Sequence, residues 1–410
     1  MKSEKVENWI MKTLDQKITC PFCFESFLPQ DMLFRCIQPP SRCPGWAIDD
    51  TSVKKRNVPP TNMGHIFEAN ISKDKRRVPL GMVRSARCDL CFAESHIHLC
   101  PECHFELPHD VGQIKQYTIA IIGGTGTGKS HYIGSLIFTL KVERRLNLIA
   151  GLLSDETQMR WQQDFYIPVF ERRIALPGTL SANTDSRVKI PIVTRLTSKE
   201  NAFERKLNGL WYQAINASLF DAAGEDMAEF NKLSVENKAI AHADGLIFMI
   251  DPLQIESIIQ RLPGVTVPRP DPRSVPDNML GRLIRLFEAP PRKPGAKIRV
   301  PLAVVVSKID MLETIVAPGS ALLRPSTHQG ALNLAEVQSV STEVASYLRS
   351  WLTHSFCDTI EARFPNHMYF GVSSLGRQRD VRTQLEVVEP LRVEEPFLWL
   401  LYKLGFVRGR

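Results

Sequence analysis

From about Gln113 onward, short apolar runs alternate with stretches of helical periodicity. The runs at 117–122, 189–196, 212–221, 245–250, 299–307 and 368–373 read as strands. The stretches at 129–143, 226–243, 276–288, 336–364 and 390–404 read as helices. Several strands (IAII, GLIFMI, LAVVV) lack polar alternation, which predicts parallel strands buried on both faces. Strand–helix alternation of this kind predicts an α/β sheet with helices on both faces. Two segments interrupt it. Residues 144–182 form a longer connection than the rest, and the proline-rich run 262–276, which cannot continue a helix, predicts an extended surface loop.

Residues 1–110 look different, with many prolines, few periodic runs and eight of the nine cysteines. The division predicted is a cysteine-rich module at 1–110 followed by an α/β domain at 113–410. Across 410 residues, 43% hydrophobic and 23% charged positions match a globular chain and argue against a disordered or rod-like one. No run of eighteen apolar residues exists, so no spanning helix is expected. The opening MKSEKVENWIMKTLDQ lacks the apolar core of a secretion signal, so the expected location is the cytoplasm. Between residues 51 and 90 nine basic residues face three acidic ones, nearly the whole net charge of +7. The basic segment 54–87 reads as a solvated loop, or as a site for nucleic acid or an anionic surface.

The clearest chemical signal is Gly123-Gly124-Thr125-Gly126-Thr127-Gly128-Lys129-Ser130, which follows a strand and opens a helix. Glycines let successive backbone N–H groups turn toward phosphate oxygens at a helix N-terminus. Lys129 is expected on the β and γ phosphates and Ser130 on magnesium. His131, the next residue, is assigned to the nucleotide-binding set. Asp221 ends the apolar strand of LFDAAGED and is the second expected magnesium contact; Gly224 is the expected γ-phosphate sensor.

VVVSKID places Asp310 at a strand end, where a carboxylate accepts both guanine N1–H and N2–H, with the Lys308 stem over the ring. Here the chain resembles the P-loop GTPases of the TRAFAC class, whose [NT]KxD motif appears as Ser307-Lys308-Ile309-Asp310, with serine in the first position. Ser373-Ser374-Leu375 resembles the last motif, where a backbone N–H meets guanine O6. The resemblance implies a Ras-like P-loop sheet, GTP/GDP and magnesium as ligands, and a switch threonine, for which Thr184 is best placed and Thr179 is the rival. It also implies that Glu225 stands where Ras-like members place a glutamine. An ionised carboxylate cannot donate a hydrogen bond, so slow intrinsic hydrolysis is expected, with Lys129, Thr184, Gly224 and Glu225 as the catalytic set.

Cys88-x2-Cys91 and Cys100-x2-Cys103 have zinc-ribbon spacing, Cys20-x2-Cys23 is a third knuckle, and Cys36 and Cys43 complete eight ligands. Two four-cysteine zinc sites follow. Sequential pairing is simplest and an interleaved pairing stays open. Closed thiolate sites are structural, so the module is expected to recognise or scaffold. The tail EEPFLWLL starts a helix with acids and a proline. It reads as the closing helix of the sheet, or as a membrane-surface helix.

The cysteine knuckles, DAAGE, SKID and the tail together resemble the bacterial double-GTPase family of the TRAFAC clade. This implies a regulator in a bacterial multi-protein conflict or stress-response system, working through protein effectors or regulators. A P-loop ATPase and an RNA-associated GTPase are the alternatives.

Overall fold

Strand runs without polar alternation become the parallel half of a seven-stranded sheet. The computed structural model describes residues 17–56, 60–69, 84–111, 114–176, 191–200, 205–206, 212–223, 235–262, 272, 274–288, 295–376 and 385–410. The chain divides into two compact units, Met1–Gln116 and Tyr117–Arg410.

The sheet comprises β1 (Lys115–Gly123), β2 (Leu148–Leu152), β3 (Ile192–Ser198), β4 (Ala214–Ala223), β5 (Gly245–Ile250), β6 (Leu302–Val306) and β7 (His367–Gly371). Their spatial order is β2-β3-β4-β1-β5-β6-β7. β1, β5, β6 and β7 run parallel, whereas β3 is antiparallel to both β2 and β4. The sheet is therefore mixed. β2, unmarked as a strand in the sequence reading, lies inside the long 144–182 connection and forms one edge.

Among the described residues the longer helices of the sheet unit are α1 (Lys129–Val142), α2 (Asp155–Trp161), α3 (Val235–Ala241), α4 (Pro276–Glu288), α5 (Leu334–Trp351), α6 (His354–Arg363) and α7 (Glu395–Lys403). α2 continues into a wide π-type helix at Gln162–Glu171 that contains Pro168. The proline lacks an N–H and so cannot complete a regular helical ladder. The single helix expected over 336–364 is two, because Leu352 and Thr353 are extended. No glycine or proline marks that break.

Both faces of the parallel strands are covered. Ile247, Met249, Ala303 and Val305 join a core cluster with residues of α1 and α7. The intervening Leu246, Phe248, Leu302 and Val304 are equally buried, and the Phe248 ring meets Phe356 of α6 at 6.3 Å. Side chains alternate across a strand, so a run buried at every position needs cover on each side. α7 packs on β5 and β6, and its residues Glu395–Leu401 are all buried. It closes the sheet, the first of the two readings of the tail. Among the described residues, no helix is long and apolar enough to cross a membrane.

In the first unit, the short strand Leu33–Arg35 pairs on one side with Ile66–Glu68 and on the other with His98–Leu99. Three tight knuckles share one hydrogen-bond pattern. The second cysteine of each is followed by a residue at positive φ: Phe24 (61°), Phe92 (61°) and His104 (55°). The N–H of that residue returns to the carbonyl of the first cysteine, at 3.1, 2.9 and 3.0 Å respectively.

Candidate functional site

Gly123 ends β1, and the loop that follows turns back on itself before Lys129 opens α1. Gly126 and Gly128 have φ of +78° and +86°, a region costly for any residue with a Cβ. Gly124 permits close approach, since a Cβ there would lie 2.5 Å from the Ser274 Cβ. The Thr127 hydroxyl donates to the Gly124 carbonyl at 2.9 Å and closes the turn; Thr125 is exposed.

Lys129 is buried, and its amine donates to the carbonyls of Gly123 (3.0 Å) and Gly124 (3.2 Å). Asp221 of β4 lies beside it. The Ser130 hydroxyl donates to Asp221 Oδ2 at 2.9 Å, and Asp221 Oδ1 stands 3.9 Å from the Lys129 amine. That Oδ1 is buried without a hydrogen-bond partner among the described residues, as is the Ser274 hydroxyl. The arrangement offers an anion a lysine and the N-terminus of a fourteen-residue helix. Beside them it offers a hard cation a hydroxyl and a carboxylate.

His131 faces elsewhere. Its Nε2 accepts the Leu176 N–H at 3.0 Å, so that nitrogen carries no proton and cannot donate to a phosphate. Burial, aided by the Lys308 charge, pushes its pKa down to about 4, which keeps it an acceptor at neutral pH.

A second group lies past the ends of β6 and β7. Lys308 adopts a left-handed φ of 52°, and its amine donates to Asp251 Oδ2 at 2.6 Å. Ser307 is turned into the sheet, with its hydroxyl on the Ile250 carbonyl at 3.1 Å. The Ser373 hydroxyl donates to Asp310 Oδ1 at 2.5 Å and accepts the Gly376 N–H at 3.1 Å. Burial pushes the Asp310 carboxyl above its usual range, and the Ser373 hydroxyl only partly offsets this. Ser374 is tied to α1, its carbonyl accepting from Ser135 Oγ at 2.6 Å. The Leu375 carbonyl accepts the Glu389 N–H at 3.2 Å.

The structure thus brings Lys129, Ser130 and Asp221 together, and separately Asp310 and Ser373. Both groups sit at the carboxyl ends of strands, where open α/β sheets bind ligands. Thr184, Thr179, Gly224 and Glu225 lie outside the described residues. Asp251, the acid that ends GLIFMI, and Ser274, from the proline-rich run, escaped the sequence reading. A strand-end acid beside two motif-bearing strands was the available signal for Asp251; Ser274 had none.

The eight module cysteines form two clusters, Cys20/Cys23/Cys100/Cys103 and Cys36/Cys43/Cys88/Cys91, each with its sulfurs within 4.8 Å of one another. The pairing is nested. Sequential pairing, the simplest reading of the spacing, is not what forms. His98–Leu99 is drawn into the sheet with Leu33–Arg35, which carries the last knuckle away from Cys88 and Cys91 and toward Cys20 and Cys23. Closest sulfur pairs measure 3.8 Å (Cys20–Cys103), 3.7 Å (Cys23–Cys100), 3.5 Å (Cys36–Cys91) and 3.9 Å (Cys43–Cys88). A zinc tetrahedron with bonds of about 2.3 Å has edges of about 3.8 Å, so both donor sets fit zinc. His98 packs against Phe34 and His104 binds Asp49; neither belongs to a cluster. Burial pushes the Cys36 thiol up to about 12, so a metal is what would hold it as thiolate at neutral pH.

No protein-family model matches the chain. A mycobacterial relative aligns with nearly all of it. That protein, SaeC of Mycolicibacterium smegmatis, is named as a candidate ESX-1 scaffolding and assembly protein. It is 25% identical over 411 residues, covering 94% of this chain and 99% of the relative. The alignment extends across both units.

Proposed function

We propose that the chain is a GTP-binding switch with slow, partner-dependent hydrolysis, acting through protein partners and stapled by two structural zinc ions. The observation that carries this reading is the placement of the motifs. A glycine-rich loop with a buried lysine leaves the central strand β1, and the Ser130–Asp221 pair and the Asp310–Ser373 pair lie at the ends of β4, β6 and β7. Their chain order is that of the TRAFAC-class resemblance, and the parallel half of the sheet suits a Ras-like P-loop fold.

In this reading the loop N–H groups and Lys129 would hold the phosphates, and Ser130 with Asp221 would hold magnesium. Asp310 accepts the guanine N–H groups. A magnesium ion held by these residues would supply charge neutralisation at the transferring phosphoryl group. Reduced thiolate centres and a nucleotide site suit the cytoplasm. The scaffolding and assembly role in the relative's name supports partners that are proteins. Membership of a conflict or stress-response system rests on the family resemblance alone.

Titration of the zinc-loaded chain with fluorescent GTP and ATP analogues in magnesium, with phosphate release followed in parallel, tests the reading. Tight GTP binding that Asp310→Asn weakens, with slow release, is the expected result. Equal or better ATP binding would make the protein an ATPase.

A second reading is favoured by the Lys129 amine, which is satisfied by its own loop carbonyls. In it the loop is a structural turn of a scaffold. Failure to bind any nucleoside triphosphate would select it.

A further inference from the structure

We infer that Asp251 is the positioning residue for the base-recognition lysine, setting guanine-nucleotide affinity through Lys308. The inference rests on the guanine-nucleotide reading above.

Three observations carry it. First, the Ser307 hydroxyl is committed to the Ile250 carbonyl at 3.1 Å, and the residue is buried between β5 and β6. Of the Ser-Lys-x-Asp set, this leaves Lys308 and Asp310 to meet a base. Second, the Lys308 amine makes its hydrogen bond to Asp251 Oδ2 at 2.6 Å, the short contact of a charge-assisted pair. The Asp251 side chain is 2% exposed and that of Lys308 33%. The carboxylate is thus fixed in the protein while the lysine stem is partly open to solvent.

Third, Asp251 is itself held in place. Its Oδ1 accepts the Leu253 N–H at 2.9 Å as the cap of the turn Pro252–Gln254. A flexible four-carbon stem loses considerable rotamer entropy when it is ordered over a ring. A partner that orders the stem beforehand removes that cost from binding. With Lys308 at a left-handed φ on one strand end and Asp251 on the neighbouring strand end, the stem spans the gap between β6 and β5 before any ligand arrives. Asp251 does not touch the base in this scheme; it fixes the lysine that does.

The test uses the full-length, zinc-loaded chain and three probes: a fluorescent GTP analogue, the matching ATP analogue and inorganic tripolyphosphate with magnesium. Asp251→Asn keeps an acceptor for the Leu253 N–H but removes the charge that holds Lys308. It is expected to weaken the GTP analogue about tenfold, the order of one charge-assisted hydrogen bond, and to leave tripolyphosphate unchanged. Lys308→Gln should reproduce that loss with Asp251 intact. The double variant Asp251→Asn/Lys308→Gln should be no weaker than Lys308→Gln alone, because the two act as one unit.

Additive losses in the double variant, or an equal loss of tripolyphosphate, would make Asp251 a structural cap and overturn the inference. Tighter GTP binding by Asp251→Asn would overturn it too, making the pair a competitor of the nucleotide. Asp310→Asn separates the two layers. If it leaves the preference for GTP over ATP untouched, the guanine reading itself fails; if it abolishes that preference while the Asp251 variants change nothing, only the present inference does.

Discussion

Asp310 combines burial with a single hydroxyl donor, and its protonation should govern base recognition. A carboxylate accepts two N–H groups only when ionised. Burial raises the Asp310 pKa above the ordinary 3.8, so protonation begins at a higher pH than for an exposed aspartate. GTP affinity should therefore be full at neutral pH and fall as the pH drops through the raised value. A titration of affinity against pH checks this, and Asp310→Asn should lose the dependence together with the affinity. In the glycine-rich loop before α1, Gly128→Ala places a Cβ at φ +86°, costing about 1–2 kcal/mol of backbone strain. Thermal melting should register the loss, accompanied by weaker nucleotide binding.

The cysteine knuckles give the sharpest test of how local elements pair. In the nested arrangement, Cys36 and Cys88 belong to one centre. Cys36→Ser combined with Cys88→Ser should lower the zinc content from about two ions per chain to about one; sequential pairing would lower it to about none. Elemental analysis of the purified variant decides between them. Chelation of both ions should unfold the module, because zinc-binding energy in small stapled units is largely folding energy, on the order of 10 kcal/mol or more. Zinc should also be lost more readily in acid, because protons then compete with the metal for the thiolates. In the sheet unit α7 has an equivalent role. Phe397 is fully buried in the cluster shared with α1, β5 and β6, so Phe397→Ala should destabilise that unit by about 3–5 kcal/mol in denaturant titration.

For the protein as a whole, the proposed switch requires hydrolysis to wait for a partner. In the sequence Glu225 follows Gly224, the position at which the TRAFAC-class resemblance expects a glutamine, and an ionised carboxylate only accepts hydrogen bonds. Glu225→Gln should raise the single-turnover rate of the isolated chain several-fold without changing GTP affinity. Phosphate release at several per second by the unmodified chain alone would contradict the proposal.

The parallel strands β1, β5 and β6 were legible in the sequence because burial on both faces demands long apolar runs. The glycine-rich turn between β1 and α1 was legible because Gly126 and Gly128 take positive φ, and α4 because its pattern and proline start coincide with its ends. The edge strand β2 carries LIAGL with alternate residues exposed, too short and too weakly patterned to read inside a long connection. The break at Leu352–Thr353 had no local marker at all.

The deepest division runs through the sites. Composition and spacing were enough to mark eight cysteines as candidate metal ligands and Lys129, Ser130, Asp221 and Asp310 as candidate site residues, because those residue types are tied to their neighbours within a few positions. Which cysteines share a centre depended on His98–Leu99 joining Leu33–Arg35, a pairing across more than sixty residues of chain. The turning of Ser307 into the sheet and the capture of Lys308 by Asp251 likewise followed from β5 and β6 coming together, and the hydrogen bond from the Leu176 N–H to His131 from the segment after the π-type helix reaching α1. Hydrogen bonds between distant segments exist only once the sheet has assembled, and no local pattern encodes them.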